Sequence, residues 1–406
     1  MGILDDKANI GGFSTPIYNE VLNAQEEKFK TIDYTRPLGE YPTASDVADF
    51  IKQRKGTKHI YTKNLNIGGV AVQDAMEKYL SNDGYSSGQL KAALKTPLHL
   101  FFEREDEARR ELDRFQDKKH FKLGTFLHEC MLEPTKFSRV TVEPKLSRAN
   151  NADLDKLIEF WEGKLEELEV CMLNNEERTS QEILDYASTQ VPSTEKRDDK
   201  KKYLSIIEKA TGITAISETD KIIVDVVKRN YEAYGDGIIP KLLKHSKREI
   251  SLYTDDETTG LDVKVRPDAL QFSENIGVNA VISVKSTRVE SLSHFFYQSA
   301  KLNYELSEGM YQSVASKVTG RDFNTTIMIM LQTVAPFGVG VMVWNGEDIE
   351  IGKYKYKQAL QTAYECELQG VYPTYDAFAE EGNLGLIDMK QPEWNTKELQ
   401  PVDLNN

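Results

Sequence analysis

A lysine interrupts an apolar run that otherwise has the composition of a buried strand. Residues 278–287 read VNAVISVKST, in which valine, isoleucine and alanine dominate the positions before Lys285. Apolar and β-branched residues in such a run favour a strand, and a lysine is almost never buried without a partner. The run therefore constrains the fold to one with a central sheet, in which Lys285 lies close to an opposite charge.

A carboxylate that suits this lysine stands seventeen residues earlier, in the segment LDVKVRPDAL. Strand alternation places four charged side chains of this segment on one face: Asp262, Lys264, Arg266 and Asp268. The separation leaves room for a turn and a return strand, so we expect a hairpin to bring Asp268 beside Lys285. A structural ion pair, or a lysine at a strand end that extends to solvent, explains these residues as well as a catalytic pair does.

The pattern around this pair alternates between short strands and helices. Strand-like segments occur at 249–253, 261–268, 278–285, 326–333 and 338–344, and helical periodicity occurs at 44–52, 70–80, 121–132, 154–173, 303–318 and 355–369. This order is typical of an α/β domain. We predict such a domain over 85–375, with an N-terminal extension at 1–84, a polar tail at 376–406, and a charged helical insertion with a flexible middle at about 145–205.

Composition excludes several classes of protein. The 406 residues include three widely spaced cysteines, which excludes a disulfide framework and a cysteine-based zinc site. The formal net charge of −14 argues against a protein that coats nucleic acid non-specifically, but not against an enzyme that concentrates basic groups in one groove. The first twenty residues lack a signal pattern and no apolar run could span a bilayer, so we expect a cytoplasmic protein, in a bacterium or a phage-infected host, without a membrane partner.

The order of several short motifs resembles the PD-(D/E)XK nuclease superfamily, and is most similar to its exonuclease VIII-like branch of phages and prophages. The motifs are Tyr85-Ser86-Ser87, Thr96-Pro97, Gly124 to His128, Leu132-Glu133-Pro134, Glu249 before Thr259-Gly260-Leu261, the RPD that ends at Asp268, the VKST that contains Lys285, Pro336-Phe337 and Tyr372-Pro373. The resemblance covers about 85–375. It implies a restriction-endonuclease-like core, a central mixed sheet flanked by helices.

The resemblance also implies metal-assisted hydrolysis of phosphodiester bonds, with Mg²⁺ as the cofactor and Mn²⁺ as a substitute. Asp268 would be the central metal ligand, and Lys285 the lysine that orients or helps deprotonate the attacking water. His128 and the backbone carbonyl of Val284 would be further ligands. Glu249 and Tyr304 would support the site.

Two residues depart from the family pattern. Ser283 stands where an acid is expected two residues before the lysine, and Ser307 stands where the helix motif has a glutamine. Helical spacing places Tyr304, Ser307, Glu308 and Tyr311 on one face. We therefore predict that Glu308 replaces the missing acid, with Glu305 as second choice. The alternative is that Glu308 is a surface glutamate.

The substrate prediction is DNA, and duplex ends in particular. Candidate phosphate-binding side chains are Lys264, Arg266, Arg288 and Lys301, whereas the basic run at 196–202 is interpreted as a solvated loop. The resemblance implies a recombination exonuclease beside a single-strand annealing protein, and a homo-oligomer. The alternative class is a catalytically degenerate protein that uses the fold as a DNA-binding or structural module. Ser283 and Ser307 favour that alternative.

Overall fold

The computed structural model describes residues 32–54, 64–105, 119–174, 176–193, 195–380 and 382–389. The helices in these ranges are α1 (Ala44–Gln53), α2 (Met76–Ser81), α3 (Ser87–Ala93), α4 (Pro97–Glu105), α5 (Lys119–Leu132), α6 (Pro134–Phe137), α7 (Asn151–Glu166), α8 (Ser180–Thr189), α9 (Arg197–Thr211), α10 (Glu218–Ala233), α11 (Ile238–Leu243), α12 (Ser273–Ile276), α13 (Leu292–Lys301), α14 (Tyr304–Thr319) and α15 (Gly346–Gln369). The strands are β1 (Val70–Val72), β2 (Val140–Val142), β3 (Cys171–Leu173), β4 (Glu176–Arg178), β5 (Thr214–Ile216), β6 (Lys247–Arg248), β7 (Ser251–Asp255), β8 (Asp262–Val265), β9 (Ala269–Gln271), β10 (Ala280–Thr287), β11 (Thr325–Gln332) and β12 (Val339–Val343).

The central sheet has five strands in the order β12-β11-β10-β9-β6. β10 and β11 are parallel over eight residue pairs, from Ala280 opposite Thr325 to Thr287 opposite Gln332, and the other neighbours are antiparallel. The parallel pair requires a long crossover, which α13 and α14 supply. The sheet is therefore mixed, and the predicted α/β class is confirmed.

Side-chain alternation along β10 divides the core into two layers. Ala280, Ile282 and Val284 pack with apolar residues of α5, α10 and α11, whereas Val281 packs on the opposite face with α14. The second face also carries a three-stranded sheet, β1-β7-β8, and helices α3 and α15. Polar groups of β10 that point to the second face therefore meet α14.

The predicted insertion has its own apolar core, centred on Leu157, Trp161 and Ile207. The expectation of a solvated loop at 196–202 is wrong, because α9 begins at Arg197 and buries Tyr203 and Leu204. The predicted helix 154–173 is also too long, because α7 ends at Glu166 and β3 follows. Apolar residues at helical spacing downstream of the basic run extend the helix through it.

The N-terminal part of the chain packs onto the domain instead of forming a separate unit within the described ranges. The predicted helix 70–80 is divided, because Val70–Val72 pairs with β7 and α2 starts only at Met76. The helix predicted at 44–52 is present as α1, with a capping box between Thr43 and Asp46. Residues 1–31 and 55–63 of the predicted extension, and 390–406 of the predicted tail, lie outside the described residues. Among the described helices, none combines the length and apolarity needed to cross a bilayer.

Candidate active site

The hairpin of β9 and β10 brings Asp268 and Lys285 together. Ile282 stands opposite Ala269, so Asp268, which directly precedes β9, lies beside the second half of β10. The backbone N–H of Val284 donates to Asp268 Oδ2, and Lys285 Nζ lies 3.8 Å from the same oxygen. The side chains are 16% and 26% exposed, so both remain accessible to a ligand.

Helix α5 supplies an imidazole to this pair. A Cβ atom at Gly124 would lie 2.7 Å from Ser286 Oγ, so the absence of a side chain allows α5 to approach β10 closely. One turn later, His128 Nε2 lies 3.0 Å from Asp268 Oδ1 and 3.3 Å from Glu249 Oε1. The GxxxH spacing thus places the imidazole between two carboxylates.

Glu249 is not part of the strand predicted at 249–253. It lies between β6 and β7 with φ +53°, a left-handed conformation that is uncommon outside glycine. Its N–H donates to the Asp268 carbonyl, and its Oε2 accepts from Arg266 Nε at 2.9 Å. Glu249 Oε1 is buried and has no hydrogen-bond partner among the described residues, although it faces His128.

Helix α14 presents Glu308 to the same point from the opposite direction. Glu308 is fully buried, which excludes the alternative of a surface glutamate. Ser283 Oγ donates to Glu308 Oε2 at 2.8 Å, while Oε1 has no hydrogen-bond partner within the described residues. Glu305, the second choice, instead pairs with Lys355 at 2.6 Å. Ser307 is buried on the same helix. Lys285 Nζ lies 5.9 Å from the centroid of the Tyr304 ring.

The pKa is lowered for one acidic group of the site and raised for two others. Burial opposes ionisation of Asp268, but the charge of Lys285 and hydrogen bonds from His128 and Val284 outweigh it and lower its pKa. For Glu308 and Glu249, burial dominates and raises the pKa of each carboxyl. Asp268 is therefore stabilised as an anion by the protein alone, whereas the other two lack sufficient positive charge.

The pKa values of the basic groups respond to the same carboxylates. Burial opposes the charge on Lys285, but Asp268 and Glu308 outweigh it and raise the pKa of the ammonium. Burial also opposes the imidazolium of His128, and the hydrogen bond to Asp268 with the charges of Asp268 and Glu249 again raises its pKa. The carboxylates of the site therefore stabilise the charged forms of both Lys285 and His128.

These donors suit a hard cation. Carboxylate oxygens with one imidazole form an acceptable ligand set for a divalent metal ion. His128, Glu133 and Glu249 offer ligand atoms that all lie within 4.8 Å of one another. Glu133 is absent from the ligands predicted from sequence, where it appears only within the Leu132-Glu133-Pro134 motif. Its position five residues after His128, across the end of α5, is the signal that could have identified it.

Two of the residues predicted to bind DNA, Lys264 and Arg266, form hydrogen bonds inside the protein instead. Lys264 Nζ donates to the backbone carbonyls of Tyr79, Leu80 and Asn82 at the end of α2, and Arg266 donates to the Asp74 carbonyl as well as to Glu249. Both are buried, so the prediction that they contact phosphates is wrong. Arg288 and Lys301 are exposed and form no ion pair in the described part of the chain.

A second lysine lies at the site without having been predicted. Lys91 of α3 is half-buried, and its Nζ lies 5.2 Å from the centroid of the Tyr304 ring. Burial, with the charge of Lys285, lowers the pKa of this ammonium to about 8. Nothing in its own segment distinguishes Lys91 from a surface lysine of an amphipathic helix, because its neighbours at the site come from distant parts of the chain.

Comparison with known proteins adds little to this geometry. No family model and no curated protein matches the sequence. A solved structure from Eubacterium rectale, named a "putative exonuclease", is similar over 82% of this chain and 100% of its own, with 9% identity and a TM-score of 0.39. A second, SSO0001, is similar over 60% of this chain and 85% of its own, with 12% identity and a TM-score of 0.22. Similarity at this level carries no argument about activity.

Proposed function

We propose that this chain is a metal-dependent deoxyribonuclease that hydrolyses phosphodiester bonds from duplex ends. The observation that supports it most directly is Glu308 Oε1, a fully buried carboxylate oxygen to which no described residue donates a hydrogen bond, next to Asp268 and Lys285. An unpaired buried carboxylate is costly. The cost is offset when a cation binds between the acids of the hairpin and the acid of α14.

The residues that would hold Mg²⁺ through oxygen, the donor a hard cation prefers, are Asp268, Glu308 and the Val284 carbonyl. His128 would add one imidazole nitrogen. When bound, the metal supplies an activated water and neutralises charge on the reacting phosphate. Lys285 is placed to orient that water or to stabilise negative charge on the phosphate. Ser283 holds the Glu308 carboxylate by its hydrogen bond.

The contact of Ser283 favours a site in which Glu308 replaces the missing acid over a site that has lost this acid. The hydroxyl stands where the family resemblance expects a carboxylate, and its hydrogen bond reaches the acid of the following helix at 2.8 Å. A carboxylate at 283 would repel Glu308 across the same short distance. The pair Ser283–Glu308 therefore supplies one negative charge at the position where one is needed.

The direct test is digestion of end-labelled linear and closed circular duplex DNA with Mg²⁺, Mn²⁺ or EDTA. We expect metal-dependent loss of the linear substrate only, with rates at least about a hundredfold lower in Lys285→Ala and Asp268→Asn. Cleavage of the circular substrate would replace the exonuclease assignment with an endonuclease. DNA binding without cleavage under any metal would favour the non-catalytic DNA-binding module.

The role of Glu308 has a matched control on its own helix. Glu308→Gln and Glu305→Gln remove the same charge from two buried positions of α14, but Glu305 is compensated by an ion pair with Lys355. We expect Glu308→Gln to reduce metal-dependent cleavage about a hundredfold and Glu305→Gln to leave it nearly unchanged. Equal rates in the two variants would eliminate Glu308 as the replacement acid.

The biological setting in this proposal is phage or prophage DNA recombination in the cytoplasm. It includes a single-strand annealing protein as partner and a homo-oligomer that surrounds the DNA, both implied by the family resemblance alone. Light scattering of the purified chain, with and without duplex DNA, tests the oligomer. A monomer in both conditions would remove that element of the proposal.

A further inference from the structure

Lys91 is held rigidly at the edge of the candidate active site. Helix α3 is capped by a reciprocal pair between Ser86 and Gln89, and Leu90 and Ala93 of this helix are fully buried in the core. The residue before the cap is tied to β8 by two backbone hydrogen bonds, from the Tyr85 N–H to the Asp262 carbonyl and from the Lys264 N–H to the Tyr85 carbonyl. These contacts anchor the backbone at Lys91, and the side chain extends toward the Tyr304 ring.

Its ammonium group contacts the same aromatic ring as Lys285 does. Lys91 Nζ and Lys285 Nζ lie 5.2 Å and 5.9 Å from the centroid of the Tyr304 ring. The charge of Lys285 disfavours the charge of Lys91 in this partly desolvated pocket. The aromatic face offsets only part of this repulsion, because a cation–π contact is worth about 0.5–2 kcal/mol.

The two acids whose charges act on Lys91, Glu308 and Glu305, form no ion pair with it. Glu308 accepts a hydrogen bond from Ser283, and Glu305 forms its ion pair with Lys355. Lys91 itself forms no ion pair with any residue that the structure describes. The positive charge of Lys91 is therefore available for an anion that the described residues do not supply.

We propose that Lys91 is a phosphate-binding residue for the DNA backbone, and that it contacts a phosphate adjacent to the one held at Lys285. The inference rests on the proposed function and extends it by assigning a second point of substrate attachment on α3. An ammonium recognises phosphate as a point charge and reads no base. The contact therefore fixes the position of the strand relative to Asp268 and is independent of DNA sequence.

The test is metal-free DNA binding as a function of salt, because it does not depend on cleavage. Binding of a fluorescent duplex is measured in EDTA for wild type, Lys91→Met, Lys91→Arg and a control, Lys209→Met, which alters an exposed lysine of α9 in the insertion. Loss of one phosphate contact lowers the slope of log K against log salt by about 0.9. We expect that decrease and an about tenfold weaker complex at low salt for Lys91→Met.

Lys91→Arg should restore the slope, because the charge is retained, and Lys209→Met should not change it. Methionine keeps the apolar stem that packs on the helix, and thermal unfolding of each variant checks that the fold is retained. An unchanged slope in folded Lys91→Met would overturn the proposal, as would a wild-type protein that binds no DNA. A wild-type protein that binds DNA in this Lys91-dependent manner but never cleaves it would refute the nuclease assignment and leave the phosphate contact supported.

Discussion

The helical insertion and the region around the central sheet differ in how many charged side chains they bury. The core of the insertion is apolar around Trp161. Its ion pairs of Arg148 with Glu143 and Glu208 and of Lys200 with Asp155 each include an exposed side chain, although Lys200 itself is buried. The sheet region buries charged side chains at several points: Glu249, Lys264, Glu305, Glu308 and Glu350. Burial of charge is costly unless it is compensated, so the sheet region depends more on compensation of buried charge than the insertion does.

Within the sheet region the buried charges again fall into two groups. Arg266 is compensated by Glu249 and the Asp74 carbonyl, and Lys264 by backbone carbonyls, so these two cations anchor the segment from Asp74 to Asn82. Glu249 and Glu308 each leave one buried carboxylate oxygen without a hydrogen-bond partner among the described residues. In the proposed function, a metal ion compensates these incompletely paired groups.

The largest change in stability that we predict comes from the apolar core of the insertion. Trp161→Ala should lower the free energy of unfolding by about 3–5 kcal/mol, because a large aromatic side chain leaves a cavity. Phe160→Ala is the matched control, since this neighbouring ring is only partly buried. Chemical denaturation gives the free energies, and metal-free DNA binding below the transition should be unchanged in both variants. Loss of DNA binding in folded Trp161→Ala would show that the two regions are coupled.

An intermediate effect is expected where a buried charge loses its compensation. Glu249→Gln leaves Arg266 buried without its carboxylate, which should lower the free energy of unfolding by about 3 kcal/mol. Glu305→Gln should lower it by about 1 kcal/mol or less, because its partner Lys355 is 26% exposed and can turn to solvent. Denaturation in EDTA compares the two. Equal losses of stability in the two variants would mean that burial of the basic partner does not determine the cost of removing the acid.

The smallest change in stability is expected at Glu308, although its effect on activity should be large. In EDTA, Glu308→Gln should unfold at the same or a slightly higher temperature than wild type, because the variant removes a buried and incompletely paired charge. Mg²⁺ should then raise the unfolding temperature of wild type but not of the variant, since the cation binds the folded state only. A clear destabilisation of the metal-free variant would contradict this account of the site.

The same carboxyl predicts a pH dependence. Burial raises the pKa of Glu308 above its ordinary value of 4.5, so the folded state holds this proton more tightly than the unfolded state does. The contribution of Glu308 to wild-type stability therefore falls as the pH rises from about 4.5 toward the folded pKa. Thermal unfolding of wild type and Glu308→Gln in EDTA should diverge over that range, with the variant favoured at higher pH.

Sequence reasoning performs well where the relevant residues are close along the chain. The apolar run of β10 and the return from Asp268 to Lys285 depend on strand propensity and on one hairpin, and the structure contains both. The helical face that holds Tyr304, Ser307 and Glu308 follows from the period of a single helix. These features could be predicted because each is determined within about twenty residues.

The sequence-based predictions were wrong where a side chain contacts a partner that is distant in the sequence. Strand alternation placed Lys264, Arg266 and Asp268 on one face, but Lys264 binds carbonyls some 182–185 residues away, so it cannot reach solvent. The basic run that forms the first turns of α9 was interpreted as a loop, because the apolar partners that hold this helix are contributed by α7. The local pattern contains no information about either partner.

By itself, the sequence determined the strand that carries Lys285, the carboxylate at Asp268 and the helical register of Glu308, because backbone propensity and periodicity act locally. Only the tertiary structure decided that Glu133 and Glu249 join His128, that Lys91 lies beside Tyr304, and that Lys264 and Arg266 turn inward. Those outcomes depend on how α3, α5 and the N-terminal segment pack against the sheet. Packing decides which charges become neighbours, and neighbouring charges in turn decide which groups remain available for a metal ion or a phosphate.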